Sequence, residues 1–183
     1  MRVIAGSAKG RRLQAVAGDS TRPTTDRVKE SLFSIITPYL EDTSFLDLFA
    51  GTGGIGIEAL SRGAGNCIFI ENNRTARDTI KQNLEKCQLI DKAQVRFSDA
   101  LSFLRNTKDS FDFIYIDPPQ FKNLCQETLQ FIAERPNLLN EDATVIVKMH
   151  PSEYEEISSA ILTESRQKKY GSNLLVFYKN IDV

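Results

Sequence analysis

Apolar residues along this chain change their spacing repeatedly, and the spacing predicts the elements. Val28, Leu32, Ile35, Ile36 and Leu40 recur at the three- and four-residue intervals of one helical face. Thr24 or Thr25 offers an N-cap hydroxyl, and Pro38 ends this helix early because proline has no N–H to donate. Ala76, Ile80 and Leu84 mark a second helix over residues 74–87, and further helices are expected over 54–61, 100–105, 124–133 and 152–161. Between them lie short apolar runs of strand character at 45–49, 67–71, 95–98, 111–117 and 143–149. Two hairpins bracket the set. Residues 2–4 and 12–17 flank the turn Gly6-Ser7-Ala8-Lys9-Gly10 as a projecting arm, and residues 165–170 and 173–179 turn at Gly171-Ser172. Strand and helix in alternation imply a parallel sheet covered by helices on both faces. The chain divides on this reading into an arm, residues 1–22, and one α/β domain, residues 23–183.

At 183 residues, 41% of them hydrophobic, the chain is long enough for one good core and short for two. No apolar run approaches the ~20 residues of a membrane span, and the start MRVIAGSAKGRR has no apolar signal region, so a cytoplasmic address away from the membrane is expected. Cys67, Cys87 and Cys125 are odd in number and lack a CxxC, which marks them as reduced packing residues. His150 is the only histidine, and with no His or Cys near it a zinc site or a Ser-His-Asp hydrolase is not expected. The net charge of −1 hides an asymmetry. Residues 1–30 carry Arg2, Lys9, Arg11, Arg12, Arg22, Arg27 and Lys29 against only Asp19, Asp26 and Glu30, and Arg166, Lys168, Lys169 and Lys179 form a second basic group. A basic arm on an acidic body suits a polyanion; a solvated basic edge is the plain alternative.

In a sheet of this kind ligands bind at the carboxyl ends of the strands. There the chain places Asp47 with the turn Gly51-Thr52-Gly53-Gly54-Ile55-Gly56, then Glu71-Asn72-Asn73, then Ser98-Asp99-Ala100, then Asp117-Pro118-Pro119. The glycine spacing, with Glu71 twenty positions after Gly51, matches an adenosine-binding turn and its ribose acid. Asp47 discriminates between cofactors. A carboxylate beside the turn repels the pyrophosphate of NAD but suits the ammonium of a methionine moiety, so S-adenosylmethionine is favoured over NAD(P) and hydride transfer.

The stretch Asp117-Pro118-Pro119-Gln120-Phe121 follows the apolar run at 113–116. Two prolines cannot continue a strand ladder, so the chain forms a rigid elbow carrying a carboxylate, carbonyls and a ring, a shape suited to gripping a planar amine. Adenine N6 in DNA and a protein glutamine fit that description as well as guanine does. The basic arm favours a nucleic acid, and an RNA-binding module without activity is a further alternative.

The chain resembles the class I methyltransferases whose N-methylating branch carries [Asn/Asp]-Pro-Pro-aromatic after the fourth strand. Gly6 to Leu13, the block Arg22-Pro23-Thr24-Thr25-Asp26-Arg27 through Phe33, and Asp47 to Gly56 with Ile57 to Ala64 make it resemble more closely the RsmD family, bacterial enzymes that methylate a guanine N2 in 16S ribosomal RNA. The resemblance implies a Rossmann-like, mostly parallel seven-stranded sheet with a C-terminal antiparallel hairpin, and a monomer acting on the small ribosomal subunit. It implies that Arg22, Thr24, Asp47, Gly51, Gly53, Glu71, Asn72, Asp99, Ala100 and Asp117 bind S-adenosylmethionine, with Glu71 on the ribose and Asp99 and Ala100 on adenine. Asp117, Pro118 and Phe121 would be catalytic, and Lys9, Arg11, Arg12, Arg22 and Gln120 would meet RNA. One departure stands out. The family pattern puts an aromatic directly after the second proline, where this chain has Gln120 and only then Phe121. Either Phe121 swings over the target base or Gln120 does so and Phe121 packs into the core.

Overall fold

The structure, a computed structural model, describes residues 1–17 and 24–181. Helix α1 spans Asp26–Ile36, capped by the Thr25 hydroxyl on the Val28 N–H and followed by a single 3-10 turn at Thr37–Tyr39 that contains Pro38. Strand β1 (Ser44–Asp47), helix α2 (Gly54–Ser61), strand β2 (Asn66–Glu71), helix α3 (Arg74–Cys87) and strand β3 (Ala93–Phe97) follow. Helix α4 (Ala100–Asn106), strand β4 (Phe111–Ile116), helix α5 (Leu124–Ala133) and strand β5 (Leu139–Met149) lead to the closing hairpin of β6 (Leu162–Tyr170) and β7 (Asn173–Asn180). The sheet order is β3-β2-β1-β4-β5-β7-β6, with β1 to β5 parallel and β7 antiparallel to both its neighbours.

Period-two alternation splits the strands between two cores. Phe45, Phe69, Phe113, Tyr115, Ile146 and Phe177 face α1, α2 and α3, while Leu46, Ile70, Ile114, Ile116, Val147 and Tyr178 face α4 and α5. This is the two-sided covering expected of buried parallel strands. The three cysteines are free and buried. Among the described residues no helix is long and apolar enough to cross a membrane.

Two expectations are corrected. Residues 152–161 form no α-helix: a single 3-10 turn at Pro151–Glu153 stops at Tyr154, which is extended. The Ser159 hydroxyl then accepts the N–H groups of Ile161 and Leu162, at 3.1 and 3.0 Å, a local bond that competes with helix and starts β6. The N-terminal arm does not project. Its strands pair around the bridge Arg2 to Arg12, with Val3 N–H donating to the Arg11 carbonyl and Leu13 N–H to the Met1 carbonyl, and other polar groups of its backbone are satisfied by the body. The Ile4 and Ala5 N–H groups donate to the Glu58 carboxylate at 2.8 and 2.9 Å, and Ala8 N–H donates to the Ser61 hydroxyl at 2.9 Å. Glu58, fully buried, also receives Lys29 and Arg62 at 3.0 and 2.8 Å, so its own buried charge is paired. Gly6 touches α2 so closely that a Cβ would lie 1.7 Å from the Ser61 carbonyl oxygen. Val3, Ala8 and Leu13 complete the core on this side.

Candidate active site

The loop after β1 is built by backbone. Asp47 is 1% exposed, and its carboxylate accepts the Gly56 N–H at 3.1 Å, tying the end of β1 to the first turn of α2. Gly56 must be glycine, since a Cβ would lie 2.3 Å from the Phe69 ring. Gly51 and Gly53 take positive φ, 56° and 77°, and the side of Gly51 where a Cβ would point is open space. Glu71 bridges this loop to the next: its two oxygens accept Gly51 N–H at 2.8 Å and Asn73 N–H at 2.9 Å. Asn72 is exposed beside it. Asp99 caps α4 through the Ser102 N–H at 3.0 Å, with Ala100 buried behind it, and Ser98 N–H donates to the Glu71 carbonyl at 3.2 Å. The three loops thus converge as the sequence implied. The Glu71 carboxylate, an open glycine turn and a capped helix start suit an adenosine, but Asp47, expected from sequence to meet an ammonium, is sealed against the loop backbone instead. Burial pushes the Asp47 carboxyl up to about 7; the Gly56 N–H opposes this, and the negative charges of Asp117 and Glu71 add to it.

The elbow after β4 is built by side chains. Ile116 pairs with Val147, so Asp117 and Lys148 leave adjacent strands side by side, on the face that carries α1. Lys148 Nζ donates to both Asp117 oxygens, at 3.0 and 2.9 Å. The Thr24 hydroxyl lies 3.4 Å and the Tyr115 hydroxyl 3.5 Å from the same carboxylate. Burial raises the Asp117 carboxyl above its ordinary value, and the Lys148 cation counters it. Pro118 is buried, whereas Pro119, Gln120 and Phe121 are exposed. Phe121 is 68% exposed, which excludes a core position for the ring. It adopts φ 60°, a left-handed conformation that costs an aromatic residue strain, and its N–H donates to Glu153 at 2.8 Å. The ring rests 5.4 Å from that of His150, tilted by 50°.

Two residues of this site were missed from sequence. Lys148 sits in an apolar strand, and its charge there was the only signal. Asn83, buried in α3, donates to the carbonyls of Gln14 and Thr52 at 3.1 and 3.0 Å and accepts Gln14 N–H at 2.7 Å, fastening the arm to the glycine loop. The predicted RNA-binding residues of the arm lie elsewhere. Lys9 is on the turn that packs against Ser61, the last residue of α2, which lies about 10 Å along the helix from Gly54 at its start. Arg11 donates to the Lys86 carbonyl at 3.0 Å, near the end of α3, and Arg12 is exposed. Arg22 lies outside the described residues.

Sheet order, glycine turn and strand-end acids together define the class I methyltransferase fold. An RNA methyltransferase from Salinibacter ruber in complex with S-adenosyl-L-homocysteine shares that fold at TM-score 0.66 and 14% identity, over 87% of this chain and 94% of that one. A candidate methyltransferase of Escherichia coli, yhhF, superposes at TM-score 0.88 with 30% identity, over 98% of this chain and 97% of that one. The family described as Conserved hypothetical protein 95 matches residues 1–179, and the chain belongs to it: this is the RsmD family of S-adenosylmethionine-dependent ribosomal RNA methyltransferases. Relatives include the candidate rRNA methyltransferase YlbH of Bacillus subtilis, 43% identical over 98% of both chains. Ribosomal RNA small subunit methyltransferase D of Haemophilus influenzae is 38% identical over 81% of this chain and 78% of that one.

Proposed function

We propose that the protein methylates the exocyclic N2 amine of a guanine in 16S ribosomal RNA, in the cytoplasm and on the small-subunit particle. The observation that carries this is the Asp117 carboxylate, held by Lys148 on the same face as the glycine loop and followed by the buried Pro118. S-adenosylmethionine, when bound, supplies an electrophilic methyl group. Glu71 would take the ribose hydroxyls with the lone pairs that Gly51 and Asn73 leave free, and Asp99 and Ala100 would border the adenine. Asp47, being buried, would act on the methionine end chiefly by fixing the loop through Gly56.

An aromatic amine is a poor nucleophile because its lone pair is delocalised into the ring. Asp117 and the Pro118 carbonyl would accept its two N–H groups, orienting the lone pair toward the methyl and stabilising the positive charge that develops on nitrogen. No strong base is needed: once the nitrogen carries the methyl group its N–H is acidic, and the proton would pass to the Asp117 carboxylate or to water. Lys148 favours the ionised carboxylate against the burial that raises its pKa. The target base would leave its stack and rest on Phe121, whose ring is exposed next to the elbow. The test is methyl transfer from radiolabelled S-adenosylmethionine to unmodified ribosomal RNA and to small-subunit particles, with the modified nucleotide mapped. Label confined to a single guanine N2 supports the reading. Label on adenine, on protein or nowhere rejects it.

A further inference from the structure

Three cations of the second basic group noted in the sequence, Arg166, Lys168 and Lys169, lie on β6, the outer strand of the sheet, whose residues 163–169 are all exposed, and Lys179 lies on β7. Partners run Lys169 to Leu174 to Met149 across β7 to β5, so the last residues of β6 reach the same end of the sheet as Lys148. A bulge between Glu164 and Arg166 decides which face each side chain takes. Glu164 lies opposite Tyr178, on the side of α4 and α5, where it accepts the Tyr154 hydroxyl at 2.7 Å. Beyond the bulge, Arg166 lies opposite Phe177 and Lys168 opposite Leu175, on the side of α1. An unbroken ladder would put Glu164, Arg166 and Lys168 on one face, because every second residue shares a face. The extra residue, Ser165, whose hydroxyl donates to the Phe177 carbonyl at 3.1 Å, separates the acid from the cations.

Tyr170 continues the stripe toward the site. Its ring packs under the Arg27 guanidinium at 5.8 Å, and its hydroxyl meets that of Ser31. Arg27 is in the first turn of α1, three residues from Thr24, which touches Asp117. We propose that Arg166, Lys168 and Tyr170 of β6, with Arg27 of α1, seat the sugar–phosphate backbone of the RNA strand flanking the target nucleotide. The proposal rests on RNA being the substrate. Alternate residues of a strand recur every ~6.7 Å, close to the repeat between successive phosphates, and the cations meet a polyanion on a chain whose net charge is otherwise negative. Lysines on an edge strand also discourage pairing with other chains, but that role needs no choice of face and leaves the bulge unexplained.

The test compares two variants of the full chain with equal loss of charge, Arg166→Gln/Lys168→Gln and Lys169→Gln/Lys179→Gln, for binding to small-subunit ribosomal RNA transcribed in vitro, at several salt concentrations. The first pair weakens binding roughly tenfold and flattens log affinity against log salt by about 1.4, at ~0.7 per phosphate for single strands. The second pair changes affinity less than about twofold. Equal losses in both pairs, or none in either, overturn the stripe. Methyl transfer is followed in the same samples. Wild-type transfer to RNA beside undiminished binding by the first pair rejects the stripe alone, whereas wild-type protein that methylates no RNA rejects the reading beneath it.

Discussion

The loop after β1 and the elbow after β4 both follow a parallel strand with an aspartate on the α1 side, and they treat it in opposite ways. Asp47 is sealed, bonded to one backbone N–H, and among the described residues meets no cation. Asp117 is 23% exposed at its side chain and holds Lys148 with two short bonds. One carboxylate serves the backbone, and what the loop leaves open there is glycine. The other stands partly open at the same end of the sheet. On the proposed function the first loop is a cradle whose side chains are structural, and the elbow is where the chemistry would concentrate.

The sharpest way to break that comparison is Asp117→Ala, which should lower methyl transfer about a hundred- to a thousandfold while calorimetry shows cofactor affinity nearly unchanged. An equal loss of both would make the elbow a second cradle. Lys148→Met comes next. The carboxylate would then keep only the Thr24 and Tyr115 hydroxyls against its burial, so its pKa rises further and the protonated form is favoured. Activity depends on the ionised form and should climb with pH toward alkaline values, where the wild type stays flat. A loss of activity independent of pH would mean that Lys148 only packs.

Much of this was legible in sequence because it is local. The helices at Gly54–Ser61, Arg74–Cys87 and Leu124–Ala133 end where spacing and caps put them, and the strand-end acids converge because a parallel sheet brings strand ends together. What was missed depends on partners far away in sequence. The arm is docked by Glu58, Ser61 and Asn83, each more than fifty residues away. Lys148 acquires its meaning only from the pairing of Ile116 with Val147. The missing helix after β5 turned on a serine hydroxyl bonding its own backbone, a competition that apolar spacing does not register. Phe121 at positive φ is likewise invisible to residue type.

The cradle has its own test in Glu71→Ala, which removes the acceptor that spans two loops and should weaken S-adenosylmethionine binding by ~1.5 to 3 kcal/mol. Unchanged affinity by calorimetry would place the ribose elsewhere. Asp47 makes a prediction about stability. Its folded carboxyl titrates near about 7 against an ordinary 3.8, so between these values the folded protein binds more protons than the unfolded chain. Stability must then fall as pH rises through that window and level off above it, by up to about 4 kcal/mol from this group. Asp47→Asn keeps an acceptor for Gly56 N–H and should flatten that dependence in urea unfolding at pH 5 and 8. A slope left intact would assign it to other groups.

The smallest effect is expected at the tip of the elbow, and it decides which residue there meets the base. Phe121 and Gln120 are both exposed, but the ring offers a wider face than an amide and already rests against His150. Stacking on an aromatic contributes about 1 to 3 kcal/mol per base, so Phe121→Ala should cost roughly tenfold in transfer rate or RNA affinity. The melting temperature should not move, because a side chain this exposed buries little apolar surface. Alanine keeps a Cβ, so the substitution leaves the strain at φ 60° in place. Gln120→Ala should have a lesser effect on both readouts. The reverse ranking would hand the platform to Gln120, and the contrast between a backbone cradle and a side-chain elbow would then rest on Asp117 and Lys148 alone.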